Sequence, residues 1–268
     1  SIANVYYAIG NQASASVFIL LFVYGGQAAR GNYQAAATFA NIIGYSSFLA
    51  FALYPKLLAE NSLKEVTSSL KTVLMFAIPT AAIIISISQP LLTVLNIHYA
   101  EATPVLLLLA IDALVVLLSQ FYTSVLFGVE KLDEEAKIPF KKLVKSKMFK
   151  VFTLPYVQTA IAVPTSFYVL TQFAAGNPVL AALYVTAVNM ATHITMFLVL
   201  YAIMPRSAKI KIPWISIGKY VSASAVAATV LYMFPHPTTI LLTLGTAAVG
   251  VAICAALMLA IDKDARIL

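Results

Sequence analysis

About eight long apolar runs cross this chain, and its cations are sorted among the connections between them. Of 17 Lys and Arg residues, all but Arg30 fall in or beside the connections after the second, fourth and sixth runs, or in the C-terminal tail. Cationic loops resist translocation, so this asymmetry marks the cytoplasmic side of a membrane. It predicts an all-α, polytopic transmembrane helical bundle of about eight helices, in the cell membrane, with both termini cytoplasmic.

Composition points the same way. Only 10% of residues are charged and 61% are hydrophobic, whereas roughly 25% of an ordinary soluble domain is charged. So few charges cannot cover a soluble surface of this size; in lipid they need not. The net charge of +7 does not indicate nucleic acid. The lysines flank membrane runs and form no stripe with interleaved aromatics, which suits them to lipid headgroups. The one cysteine, Cys254, lies inside the last run and reads as a packing residue. No charged segment and cleavage site precede the first run, so no signal peptide is expected.

A helix needs ~20 apolar residues to span the hydrocarbon core. The runs lie at about 3–25, 33–58, 71–96, 103–129, 149–174, 179–204, 215–234 and 238–262. Residues 1–204 then form a six-helix lobe and 205–268 two additional helices. Gly25-Gly26, Gly176-Asn177-Pro178 and Pro235-His236-Pro237 punctuate the outer side as turns. On the inner side, 56–71 reads as an amphipathic stretch, and 130–150 as a lysine-rich anchor. Arg206, Lys209, Lys211 and Lys219 surround the interfacial Trp214. Pro155 and Pro164 share one helix, where they act either as static kinks or as a hinge.

Chemistry is sought where polarity is costly, since intramembrane polar groups usually turn inward. Five runs carry polar stripes: Asn4, Tyr7, Asn11 and Ser14; Thr38, Asn41 and Tyr45; Asp112, Gln120 and Thr123; Gln158, Thr165 and Gln172; Thr186, Asn189 and His193. Together they imply a bundle around a polar or hydrated space. The competing reading is helix-to-helix glue, worth about 0.6 kcal/mol per group. From these stripes Asn11, Arg30, Asn41, Gln120, Gln158 and Asn189 are assigned as cavity-facing, substrate-binding positions. Arg30 is the one outward-side cation, suited to an anionic group or to snorkelling. Asp112 and His193 are assigned to ion coupling, with pairing or neutral hydrogen bonding as their alternatives. His98 and Glu101, without a third ligand, make no metal site. No phosphate-binding glycine loop, GxSxG or HExxH is present, and Asp112 has no intramembrane carboxylate partner. The chain is read as a non-enzyme without cofactor.

The order of features resembles a family. Gly31-Asn32-Tyr33-Gln34-Ala35-Ala36 opens a helix that ends in Leu53-Tyr54-Pro55-Lys56-Leu57. Ile78-Pro79, Pro90-Leu91-Leu92 and His98-Tyr99-Ala100-Glu101-Ala102 follow, before a leucine-rich helix. This looks like the lipid-linked oligosaccharide flippases, the polysaccharide-exporter branch of the multidrug/oligosaccharidyl-lipid/polysaccharide exporter superfamily. The match is best over about residues 20–130. The resemblance implies two pseudo-symmetric lobes, of which this chain matches the second plus an extra helix pair. An N-terminal lobe or partner subunit would supply the rest. It also implies alternating-access flipping of a lipid-linked sugar, with Asn11 and Asn41 among the cavity positions. The family's intramembrane cation deep inside a helix has no counterpart here. The alternatives are a non-catalytic membrane scaffold subunit of a larger complex and a cation-coupled small-molecule exporter.

Overall fold

The computed structural model describes residues 2–48, 63–130, 147–174, 176–204, 212–234, 239–262 and 264–266. Among them the fold is all-α, with no strand. The helices are α1 (Ile2–Ser14), α2 (Val17–Gly44), α3 (Leu63–Ser86), α4 (Ser88–Leu95), α5 (Thr103–Glu130), α6 (Lys147–Gln172), α7 (Pro178–Ile203), α8 (Trp214–Met233) and α9 (Ile240–Ile261). All but the eight-residue α4 have 13 residues or more. The expected turn at 235–237, most of the 56–71 stretch, the 131–146 anchor, and Arg206, Lys209 and Lys211 lie outside the described residues.

Six segments are long and apolar enough to cross a membrane: Val5–Ser47, Val66–Ser86, Ile97–Leu126, Pro178–Ile203, Trp214–Met233 and Ile240–Ile261. The first has 43 residues. At 1.5 Å per residue it holds about 65 Å of helix measured along the chain, roughly twice the hydrocarbon thickness. It covers the first and second apolar runs together. The fifth run is the 26-residue α6, long enough at about 39 Å but interrupted by polar residues and two prolines.

Packing divides the chain into two compact units, interleaved along the sequence. The first comprises Ser1–Asn32, Tyr54–Leu63 and Val115–Lys209. The second comprises Tyr33–Leu53, Lys64–Leu114 and Ile210–Leu268. They group residues by contact, whereas the six-plus-two division follows chain order.

In the first unit α6 packs against α1 and α7. Gly10 sits where α1 crosses α6. A Cβ there would come within 2.8 Å of Tyr156 Cε2 and 3.1 Å of Pro155 Cβ. The missing side chain lets Tyr6 stack on Tyr156 at 4.5 Å between ring centroids. It also lets the Tyr156 hydroxyl donate to the Tyr6 carbonyl at 2.6 Å. Tyr7 meets Phe152 at 5.5 Å, so aromatic packing fastens α1 along the start of α6. Helix α6 continues through both Pro155 and Pro164. Beside each proline a threonine hydroxyl turns to a backbone carbonyl, Thr159 to Pro155 and Thr165 to Ile161. These are ordinary i to i−4 hydroxyl bonds of a helix and do not reach the Val151 and Ala160 carbonyls that the prolines leave without an N–H partner. Asn177 starts α7, its side chain accepting from the Val179 and Leu180 amides at 3.0 Å, after Gly176 at φ 80.

In the second unit the third apolar run is not one helix. Pro90 has no N–H to offer the Ser86 carbonyl. The ladder breaks at Ile87 (φ −113, ψ 25), separating α3 from α4. The Asn96 side chain accepts from the His98 amide and starts a short 3-10 turn over Ile97–Ala102, which leads into α5. Gly250 lets α9 approach α8 and α3. Its missing Cβ would lie 2.6 Å from Leu231 Cδ1 and 3.2 Å from Ile83 Cγ1. Cys254, the chain's one cysteine, is 3% exposed on the buried side of α9.

Candidate functional site: a polar face on α2

Helix α2 is two helices joined at one residue. Gly26 has φ 83 and ψ 174, a combination open essentially to glycine alone. The Arg30 guanidinium donates from Nη1 to the Phe18 carbonyl at 3.4 Å. Along a straight helix those residues would stand about 18 Å apart, well beyond an arginine's reach. The chain therefore turns back on itself at Gly26, and Arg30 straps the two arms together. The Gly25-Gly26 turn expected from sequence is present, compressed to a single non-helical residue. The arm after Gly26 is helical from its first residues, several positions earlier than residue 33.

That second arm sorts its residues by face. Ala29, Asn32, Ala36, Ala40 and Ile43 are buried. The opposite face carries Gln27, Arg30, Gln34, Thr38, Asn41 and Tyr45, all exposed. Their spacing of three and four keeps them on one side of a helix. Gln27 and Arg30 belong to the first packing unit and the other four to the second.

Exposure alone means little in a membrane protein, because lipid also covers exposed faces. The chemistry of the face decides. On α9 the exposed positions include Leu241, Leu242, Leu244 and Val251, at 58–79% exposure, which suits hydrocarbon. Six polar side chains in succession do not, since each would lose its hydrogen bonds to water. The Thr38 hydroxyl turns to the Gln34 carbonyl. The amides of Gln27, Gln34 and Asn41 and the Arg30 cation need water or a polar ligand.

The other sequence-selected residues fall into three groups. Asn11 and Gln120 are exposed and Gln158 is half-buried. Asn189, at 7% exposure, and Thr186 lie inside, with His193 half-buried on the same face. The Thr186 hydroxyl is taken by the Ala182 carbonyl, and that of Thr192 by the Asn189 carbonyl. Asp112 is 6% exposed within the leucine-rich α5, close enough to Tyr33 for the two to interact electrostatically. Gln120, two turns beyond Asp112, is exposed, so the expected stripe does not stay on one face. His98 and Glu101 are exposed. Among the described residues no three His, Cys, Asp or Glu side chains converge as metal ligands would.

Sequence reasoning passed over Gln27 and Gln34. The signal was available: counting by three and four from Arg30 in both directions reaches each polar residue of the face. Treating 26–32 as a loop hid it.

Six spans, apolar outer faces and one polar face define a multi-pass helical membrane protein. Comparison with protein-family models, with curated proteins and with solved structures finds no match.

Proposed function

We propose that the chain belongs to a membrane transporter that moves an amphiphilic, lipid-linked oligosaccharide or polysaccharide precursor across the cell membrane by alternating access. The observation that carries this reading is the exposed polar face of α2, on a segment whose length and composition place it within the membrane. A glycan head needs hydrogen-bonding partners along about 30 Å of hydrocarbon. Gln34, Thr38 and Asn41 offer them at successive turns, while a lipid tail can remain against apolar faces such as that of α9. Arg30, in the first unit, is a cation suited to an anionic linkage between lipid and sugar. Asp112, the buried carboxylate of α5, is the coupling position in this reading. The chain ends are placed in the cytoplasm, where the lysine-bearing connections hold them.

The test is translocation of a lipid-linked oligosaccharide in vesicles reconstituted with the purified protein. Wild type moves the substrate faster than protein-free vesicles. The double variant Gln34→Leu, Asn41→Leu loses at least about tenfold in rate, equivalent to one lost hydrogen bond near 1.4 kcal/mol, while inserting normally. Equal rates in wild type and double variant refute the assignment of the face. No translocation by wild type, with stable co-purification of a partner, favours the scaffold reading.

A further inference from the structure

The end of the second unit where α8 begins and α9 finishes carries a charge arrangement that transport does not use. Asp262 follows the last turn of α9 and is 4% exposed. Lys219 Nζ lies 3.2 Å from its Oδ1, and the buried Tyr220 hydroxyl donates to its Oδ2 at 2.9 Å. Arg266 folds back over the same turn, donating from Nε to the Leu259 carbonyl at 2.7 Å and from Nη2 to the Ala260 carbonyl at 2.8 Å. Asp262 is thus paired with Lys219, while Arg266 caps backbone carbonyls of the turn before it. The carboxylate is inside; Arg266 is exposed and Lys219 retains 34% of its side-chain surface.

Charge does not balance there. The helix C-terminus adds roughly half a negative charge, which leaves outward-facing positive charge. Depth identifies what meets this excess. Helix α9 has 22 residues, none of them charged, about 33 Å, so its last turn emerges at headgroup level. Alongside, Trp214 and Ile215 open α8 at 70% and 82% exposure, the arrangement of an interfacial anchor.

We propose that this end of the α8–α9 pair binds the phosphate of an anionic membrane phospholipid, with Arg266 and Lys219 as its cationic contacts. Among the described residues Arg266 Nη1 has no hydrogen-bond partner, and it meets the phosphate while Nε and Nη2 hold α9. Lys219 is shared between the lipid and Asp262, which Tyr220 continues to hold. A bound lipid thereby tightens the closure of α8 on α9.

Cys254 reports that closure, because it is the chain's only thiol and is buried in α9. The full chain is placed in nanodiscs of phosphatidylcholine, or of phosphatidylcholine with phosphatidylglycerol, and its maleimide labelling rate is measured. The anionic lipid is expected to slow labelling by about fivefold or more, the scale of one basic residue at a charged surface. Arg266→Gln, compared with itself in the two bilayers, loses most of that slowing even if its baseline rate rises. Equal wild-type rates in the two bilayers overturn the proposal. So does slowing that persists undiminished in Arg266→Gln, which is a general surface effect. Soluble glycerol phosphate added to phosphatidylcholine discs leaves the rate unchanged; slowing there assigns the site to free phosphate and refutes the lipid.

Discussion

Replacing Gly26 by Ala isolates a backbone effect, because no heavy atom lies within 4 Å of where the new methyl would sit. The cost comes from φ 83 and ψ 174 alone. Holding a non-glycine residue in such a region costs about 1–3 kcal/mol, and the less flexible unfolded chain returns about 0.4–1 kcal/mol. The net destabilisation is about 1–2 kcal/mol. Gly44 supplies the control. It too has open space, but at φ −61 and ψ −26 it is helical, so Gly44→Ala should be neutral or stabilising by up to about 1 kcal/mol. The two variants thus differ by about 1–3 kcal/mol, roughly 5- to 150-fold in an unfolding equilibrium, for the same added atoms. Reversible unfolding in mixed micelles, followed by far-ultraviolet circular dichroism, reads the difference. If the variants shift stability in the same direction by similar amounts, the reversal at Gly26 is not set by that residue's backbone, and the two-armed reading of α2 fails.

Other consequences follow from single contacts. Gly10→Ala drives a methyl into Tyr156 and Pro155, so it should destabilise by about 1–3 kcal/mol in the same assay. Tyr156→Phe loses the hydroxyl's bond to the Tyr6 carbonyl and its interaction with the Gly10 backbone, about 1 kcal/mol. Asn177→Ala removes the cap of α7 and should cost about 1 kcal/mol, measurable as a lower unfolding midpoint. In a Cys254→Ala background, Thr38→Cys and Asn41→Cys should react with a water-soluble maleimide and Leu242→Cys should not, although all three positions are exposed. Equal protection of all three would place the α2 face against lipid.

The helical class and the positions of most apolar runs were legible in the sequence, because hydrocarbon admits few alternatives, although among the described residues six segments and not eight are long and apolar enough to cross, the first of them joining two runs. A backbone that cannot bond to water must bond to itself, and about 20 apolar residues is the length that does so across a bilayer. Glycine and proline marked the turns at Gly26 and Gly176 for the same local reason. Asp112 was recognisable as a residue turned inward, since a carboxylate in a leucine-rich span has few other places to go.

What periodicity left open is which side of each helix meets protein. Gln120 and Asp112 were placed on one stripe by their spacing, yet one is exposed and the other buried. Eight residues rotate a helix by about 80°, enough to move from a packed face to an open one. Likewise Lys219 and Asp262 lie 43 positions apart, and no local pattern pairs them. Only the closing of α8 against α9, admitted by Gly250, brings that carboxylate to its cation. Sequence determined what must lie in the membrane, because burial of the backbone is a local requirement. Tertiary packing decided which polar groups face each other and which face outward, because that depends on residues far apart in the chain.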